Sequence, residues 1–190
     1  MKITDFHIVF TKYYAIINAG NRNQKNQQGG STMGIYLNPN NKNFQKALNS
    51  EIYVDKSGLI EMTNKRLNTE NCNICVSRPR RFGKSLNLAM LSAYYSRGCD
   101  SKKLFDRLSI AKKENYLEHL NKYNVIYINM QEFLSNSENI KEMLLLIRKI
   151  ILKDFKKEYP DMDWDINTGL SFHFSEFYEI TDIPFVILYQ

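Results

Sequence analysis

A three-layer α/β fold, with a parallel sheet between two layers of helices, is what this 190-residue sequence predicts, and three features carry the prediction. Val125-Ile126-Tyr127-Ile128-Asn129-Met130 and Phe185-Val186-Ile187-Leu188 are short apolar runs rich in β-branched residues, the pattern of strands buried on both faces. Between them, residues 138–158 place Ile140, Leu144, Ile147, Ile151 and Phe155 on one helical stripe. Lys141, Arg148, Lys149, Lys153, Lys156 and Lys157 stay off it, as expected of a crossover helix with a solvated face. Ile74-Cys75-Val76-Ser77 adds a short strand ahead of the helical run Leu86 to Leu91, which closes near Gly98. The predicted parallel strands therefore lie near 74–77, 125–130 and 185–189.

The remaining elements follow in order. Residues 18–32 are crowded with Asn, Gln and Gly and carry almost nothing that could enter a core. Residues 1–32 are accordingly expected to be a disordered or non-native leader, residues 33–190 the domain, and Met33 the natural start of translation. Phe44 to Leu48 suggests one or two helical turns, and Ser57 is placed to cap a helix through Leu59, Ile60, Met62 and Leu67. Ser101 to Leu120 reads as mainly helical, with Leu104, Phe105 and Leu108 spaced for core packing. Pro160 stops the long helix, and Phe172, Phe174, Phe177 and Tyr178 suggest an aromatic-rich helix before Pro184.

Arg78-Pro79-Arg80-Arg81-Phe82-Gly83-Lys84-Ser85 carries the chemistry, because Gly-Lys-Ser between a strand and a helix is how phosphate-cradling loops end. Backbone N–H groups around Phe82, Gly83 and Lys84 can wrap phosphate oxygens, and the following helix, opening through Leu86, adds its positive end. Gly83 allows close backbone approach, Lys84 would bring a charge to the β- and γ-phosphates, and the Ser85 hydroxyl would be a magnesium ligand. Arg80 or Arg81 would be auxiliary phosphate contacts. The pattern G-x-x-x-x-G-K-[ST] asks for glycine where Arg78 stands, so the alternative of a basic loop with a merely solvated lysine stays open.

At these residues the chain resembles the AAA-ATPase-like family of prokaryotic proteins, whose phosphate loop is written R-P-R-R-F-G-K-S. Tyr53-Val54-Asp55-Lys56-Ser57 matches a second block of that family, some twenty residues before the loop. The resemblance runs from about Met33 to the end and is most specific over residues 52–96. It implies a P-loop NTPase fold that binds ATP with Mg2+, and longer members add a nuclease-like domain of the PD-(D/E)xK type.

Other chemistries are weaker. The net charge is +6, but residues 1–32 hold four basic and one acidic side chain, so half of the excess lies there. The dense positive site is the loop itself, which suits a triphosphate as well as a nucleic-acid backbone. Cys72 and Cys75 form a single C-x-x-C with no second pair, and His7, His119 and His173 are scattered, so a structural zinc is not expected. The absence of a membrane-length apolar run and of a persuasive secretory signal makes a cytoplasmic protein the default.

Relatives in the family continue the last strand with an Asp-Glu pair that holds magnesium and activates water, whereas this chain reads Tyr189-Gln190. The expectation is thus a domain incomplete at its C-terminal side, binding ATP without hydrolysing it, with an unpaired edge at the last strand. Glu132 is the better substitute acid and Asp182 the poorer, at the wrong end of its strand. The competing reading is a nucleic-acid or protein binding module without nucleotide chemistry, and a third is a truncated product with no independent role.

Overall fold

The computed structural model describes residues 3–11, 34–67, 69–79 and 81–190. Four strands, β1 (Ile3–Thr11), β2 (Ile74–Pro79), β3 (Asn124–Ile128) and β4 (Phe185–Tyr189), form one sheet in the order β2-β1-β4-β3. β3 and β4 are parallel, with Asn124 opposite Phe185 and Ile128 opposite Tyr189. β1 runs antiparallel to both of its neighbours, pairing Ile3 to Ile8 with β2 and His7 to Thr11 with β4. The three strands read from the sequence therefore point the same way, but only β3 and β4 pair in parallel, so the sheet is mixed and not the parallel sheet expected.

β1 is the difference from expectation. Residues 1–32, assigned to a leader on composition, include this strand in the middle of the sheet, while residues 12–33 lie outside the described residues. β4, expected to present an unpaired edge, is hydrogen-bonded on both sides. Outside β3 the chain adds a short extension, in which Asn38 N–H donates to Val125 O at 2.7 Å and Tyr127 N–H to Tyr36 O at 2.9 Å.

Helices flank the described strands: α1 (Lys42–Leu48), α2 (Gly58–Asn64), α3 (Lys84–Tyr95), α4 (Lys102–Phe105), α5 (Tyr116–His119), α6 (Met130–Ser135), α7 (Ile140–Glu158) and α8 (Leu170–Thr181). Side-chain alternation along β3 and β4 divides the core in two. Val125, Val186 and Leu188 pack with Phe44, Ile60, Leu88, Leu91, Tyr94 and Phe105 on one face. Ile126, Ile128 and Phe185 pack with Ile147, Ile151, Phe155, Phe174 and Phe177 on the other. The aromatic-rich helix is thus α8, although Phe172 faces solvent.

Two local readings change. Ser101–Leu120 is not mainly helical: it breaks into α4, a 3-10 turn at Ser109–Lys112 and α5. Asp55 and Ser57 hold this stretch by side-chain bonds to its backbone, which replace continuous helix bonds. Ser57 also makes no side-chain cap for α2, because its hydroxyl accepts the N–H of Ile110 at 3.1 Å instead. α7 keeps its predicted bounds almost to the residue, with Asn139 accepting the N–H of Glu142 at 3.0 Å as its cap.

Asp154, buried on α7, anchors the extension beside β3. Its Oδ2 accepts the N–H groups of Tyr36 at 2.9 Å and Leu37 at 3.2 Å. Gly34 permits this approach, since a Cβ there would lie 2.6 Å from that oxygen and 2.5 Å from Leu37 O.

Candidate functional site

Because β2, β3 and β4 are co-directional, their carboxyl ends gather at one edge of the sheet, where ligands of open α/β sheets bind. β2 ends at Pro79, and the chain then turns through Arg81 and Gly83, both with positive φ of 68° and 75°, into α3. Two left-handed residues within three positions make this tight re-entrant turn. The glycine meets the second requirement without a Cβ penalty, and Arg81 bears the first.

Gly83 has no side chain with which to cap α3, and the first turn of the helix carries no acid. The leading N–H groups of a helix lack partners within it, so this end of α3 is receptive to an anion. It opens on a cleft of about 820 Å3 lined by Arg81, Gly83, Lys84, Ser85, Leu86, Asn129, Met130, Gln131, Leu134 and Gln190. Those lining residues include two cations and no carboxylate.

Two lysines lie against loop carbonyls. Lys84 Nζ donates to Pro79 O at 2.8 Å, tying the helix start to the end of β2. Lys56 Nζ reaches in from the turn before α2 and donates to Phe82 O at 3.4 Å. A Cβ on Gly83 would stand 3.1 Å from that ammonium, a close fit that adds to the conformational demand for glycine. Ser85 Oγ lies 3.3 Å from Gln190 Oε1 and 3.1 Å from Nε2, so the hydroxyl and the carboxamide are mutually bonded across the cleft.

Of the residues singled out in the sequence, Arg81, Gly83, Lys84, Ser85 and Leu86 share this cleft. Phe82, in the turn between Arg81 and Gly83, is 59% exposed. Arg80 lies outside the described residues. Glu132, the favoured substitute acid, is in the first turn of α6 but lines a neighbouring smaller cavity, where its Oε1 accepts the Tyr36 hydroxyl at 3.1 Å. Asp182 ends α8 just ahead of β4, at the far end of that strand from the cleft.

Lys56 was missed as a site residue, although the Tyr53-Val54-Asp55-Lys56-Ser57 block marked its surroundings. Asp55 explains how it is presented. Its Oδ1 accepts the N–H of Ser57 and its Oδ2 that of Ser109, both at 2.8 Å, fixing the turn from which Lys56 extends. Partial burial opposes the charge of Asp55, but the donors from Ser109 and then Ser57 outweigh it and hold the carboxyl below its ordinary pKa. A depressed carboxyl stabilises the fold above the unfolded pKa and loses that contribution as pH falls through the folded one. Asp55→Ala should therefore cost about 1–2 kcal/mol at neutral pH, the low end for charged hydrogen bonds because the group is partly solvated. The gap from the parent should close as pH drops below about 3.9, which urea melts at neutral and acidic pH would measure.

Cys72, Cys75 and Cys99 are free thiols, and no group of three or more His, Cys, Asp or Glu able to hold a metal ion occurs among the described residues. No described helix is long and apolar enough to cross a membrane.

Strand, re-entrant turn, uncapped helix and cationic cleft together define an α/β protein with an anion-receptive site at the carboxyl edge of its sheet. The chain belongs to the AAA-ATPase-like family: the model of that family, described as a predicted AAA-ATPase, matches residues 41–189. Searches of curated proteins and of solved structures gave no match.

Proposed function

We propose that this chain is a P-loop nucleotide-binding domain of the three-layer kind that takes ATP, with Mg2+, at the carboxyl edge of β2. The observation that carries the reading is the uncapped start of α3, where Gly83, Lys84 and Ser85 face a cleft without carboxylates. The triphosphate lies across the N–H groups of residues 82–86, and Lys84 exchanges the Pro79 carbonyl for phosphate oxygens. Lys56, already at the loop, supplies a second cation to the same charge, and Arg81 and Arg80 supplement it at the entrance.

Ser85 Oγ is an oxygen ligand of the kind magnesium accepts, and its exposed position fits an ion whose other ligands are phosphate and water. Magnesium in such a site neutralises charge developing on the transferred phosphoryl group. Gln190 would have to release Ser85 for this role. Asn129, Gln131 and Gln190 bring amides to the opposite wall, which can orient a water but not deprotonate it, and no carboxylate base stands among the described lining residues. The activity assigned is ATP binding with no turnover by this chain alone, in the cytoplasm.

Titration with ATP, with and without magnesium, tests the reading. Saturable binding strengthened by the metal is expected, together with no steady phosphate release. Steady magnesium-dependent release, lost in Lys84→Ala, would overturn the inactive reading. Binding to nucleic acid that falls steeply with salt and ignores magnesium would favour the basic-module alternative.

A further inference from the structure

We propose that the cavity enclosed by α3, the β3–α6 junction and the segment before α1 binds a small organic cation rich in N–H donors, of the guanidinium or primary-ammonium class, with Glu132 as its counter-charge. The cavity holds about 210 Å3, and its walls include Tyr36, Asn43, Ser92, Tyr127, Asn129 and Glu132. Among the described residues no cationic side chain lines it, and the hydrogen bond from Tyr36 leaves the Glu132 carboxylate without an ion pair. Of the lining asparagines, Asn40 and Asn129 already accept backbone N–H groups, and Asn43 adds an amide oxygen that can accept from a ligand's N–H groups.

The floor supplies the second observation. Ser92 is 4% exposed, and its hydroxyl has no hydrogen-bond partner among the described residues. Buried polar groups are ordinarily paired, so a hydroxyl left over in the wall of a polar cavity points to a partner that enters it. A planar cation with several N–H donors meets Glu132 at the rim and Ser92 below, while Ala89 and Tyr127 accommodate its apolar part. The Tyr36 hydroxyl reports the same field. Its pKa is raised, first by burial, then by its bond to Glu132 and by the charges of Glu132 and Asp154, and a negative environment of that kind favours a cation.

The site is separate from the cationic cleft but adjoins it. Ser85, Ala89 and Ser92 fall on one face of α3 at i, i+4 and i+7, and Asn129 lines both cavities. It does not rest on the nucleotide reading, and Lys84→Ala should leave it intact.

Methylguanidine is the probe, with methylurea as its uncharged counterpart of nearly the same shape, and binding is read from backbone amide shifts by nuclear magnetic resonance. Saturable shifts centred on Ser92, Tyr127 and Asn129 are expected with methylguanidine and not with methylurea. Glu132→Gln, at an exposed position, should weaken binding by at least about tenfold, as loss of a charge partner does. Ser92→Ala should weaken it about threefold to tenfold through one lost hydrogen bond. Absence of saturable shifts, equal binding of methylurea, or unchanged affinity in Glu132→Gln would each overturn the proposal.

Discussion

Lys84→Ala should weaken ATP binding by about ten- to hundredfold, with little loss of thermal stability. The ammonium sits at the joint between the phosphate loop and α3, and a hydrogen bond to a charged partner contributes about 1.5–3 kcal/mol, which converts to that range of affinity. In the protein without nucleotide the same group bonds to the Pro79 carbonyl, a partly buried contact whose loss costs on the order of 1 kcal/mol. Thermal melts and calorimetric titration of the variant and the parent separate the two effects. The backbone N–H groups and the helix dipole would remain, so residual weak affinity is part of the expectation. Affinity equal to that of the parent would remove the phosphate-loop reading and leave Lys84 as a tie between the start of α3 and Pro79 O.

Deletion of residues 1–11 should have the largest effect on stability. Composition alone suggests that the N-terminal segment adds nothing, and on that reading its removal leaves the melting temperature unchanged. The sheet reverses the expectation. β1 is bonded along one edge to β2 and along the other to β4, and nothing else joins β2 to the β4–β3 pair within the sheet. Without it, β2 and β4 each present an unpaired row of N–H and C=O groups. Since β2 leads into the turn before α3, separation of these strands also displaces that turn from Asn129 and Gln190 across the cleft. A fall in melting temperature of about 10 °C or more, with self-association through the new edges, is the expected result by calorimetry and light scattering. An unchanged melting temperature would mean that β1 is dispensable to the fold.

The sequence by itself determined the elements whose signals are local. The continuous apolar runs gave β3 and β4, the single stripe of Ile140, Leu144, Ile147, Ile151 and Phe155 gave α7, although its first two members are exposed, and Gly-Lys-Ser located the turn into α3. Periodicity and loop chemistry are properties of neighbours along the chain, so no tertiary information was needed. Tertiary structure decided what depends on residues far apart. That Lys56 lies on the loop at Phe82 follows from Asp55 bonding to Ser109, more than fifty residues away. That Glu132 meets Tyr36 and not the cleft at the start of α3 depends on Asp154 holding the extension beside β3. The clearest case is β1, whose place in the sheet is set by backbone hydrogen bonds to strands nearly seventy and one hundred and eighty positions away. Ile3–Thr11 is itself rich in β-branched and aromatic residues, but its partners lie far along the chain, so a local pattern does not reveal that it enters this sheet.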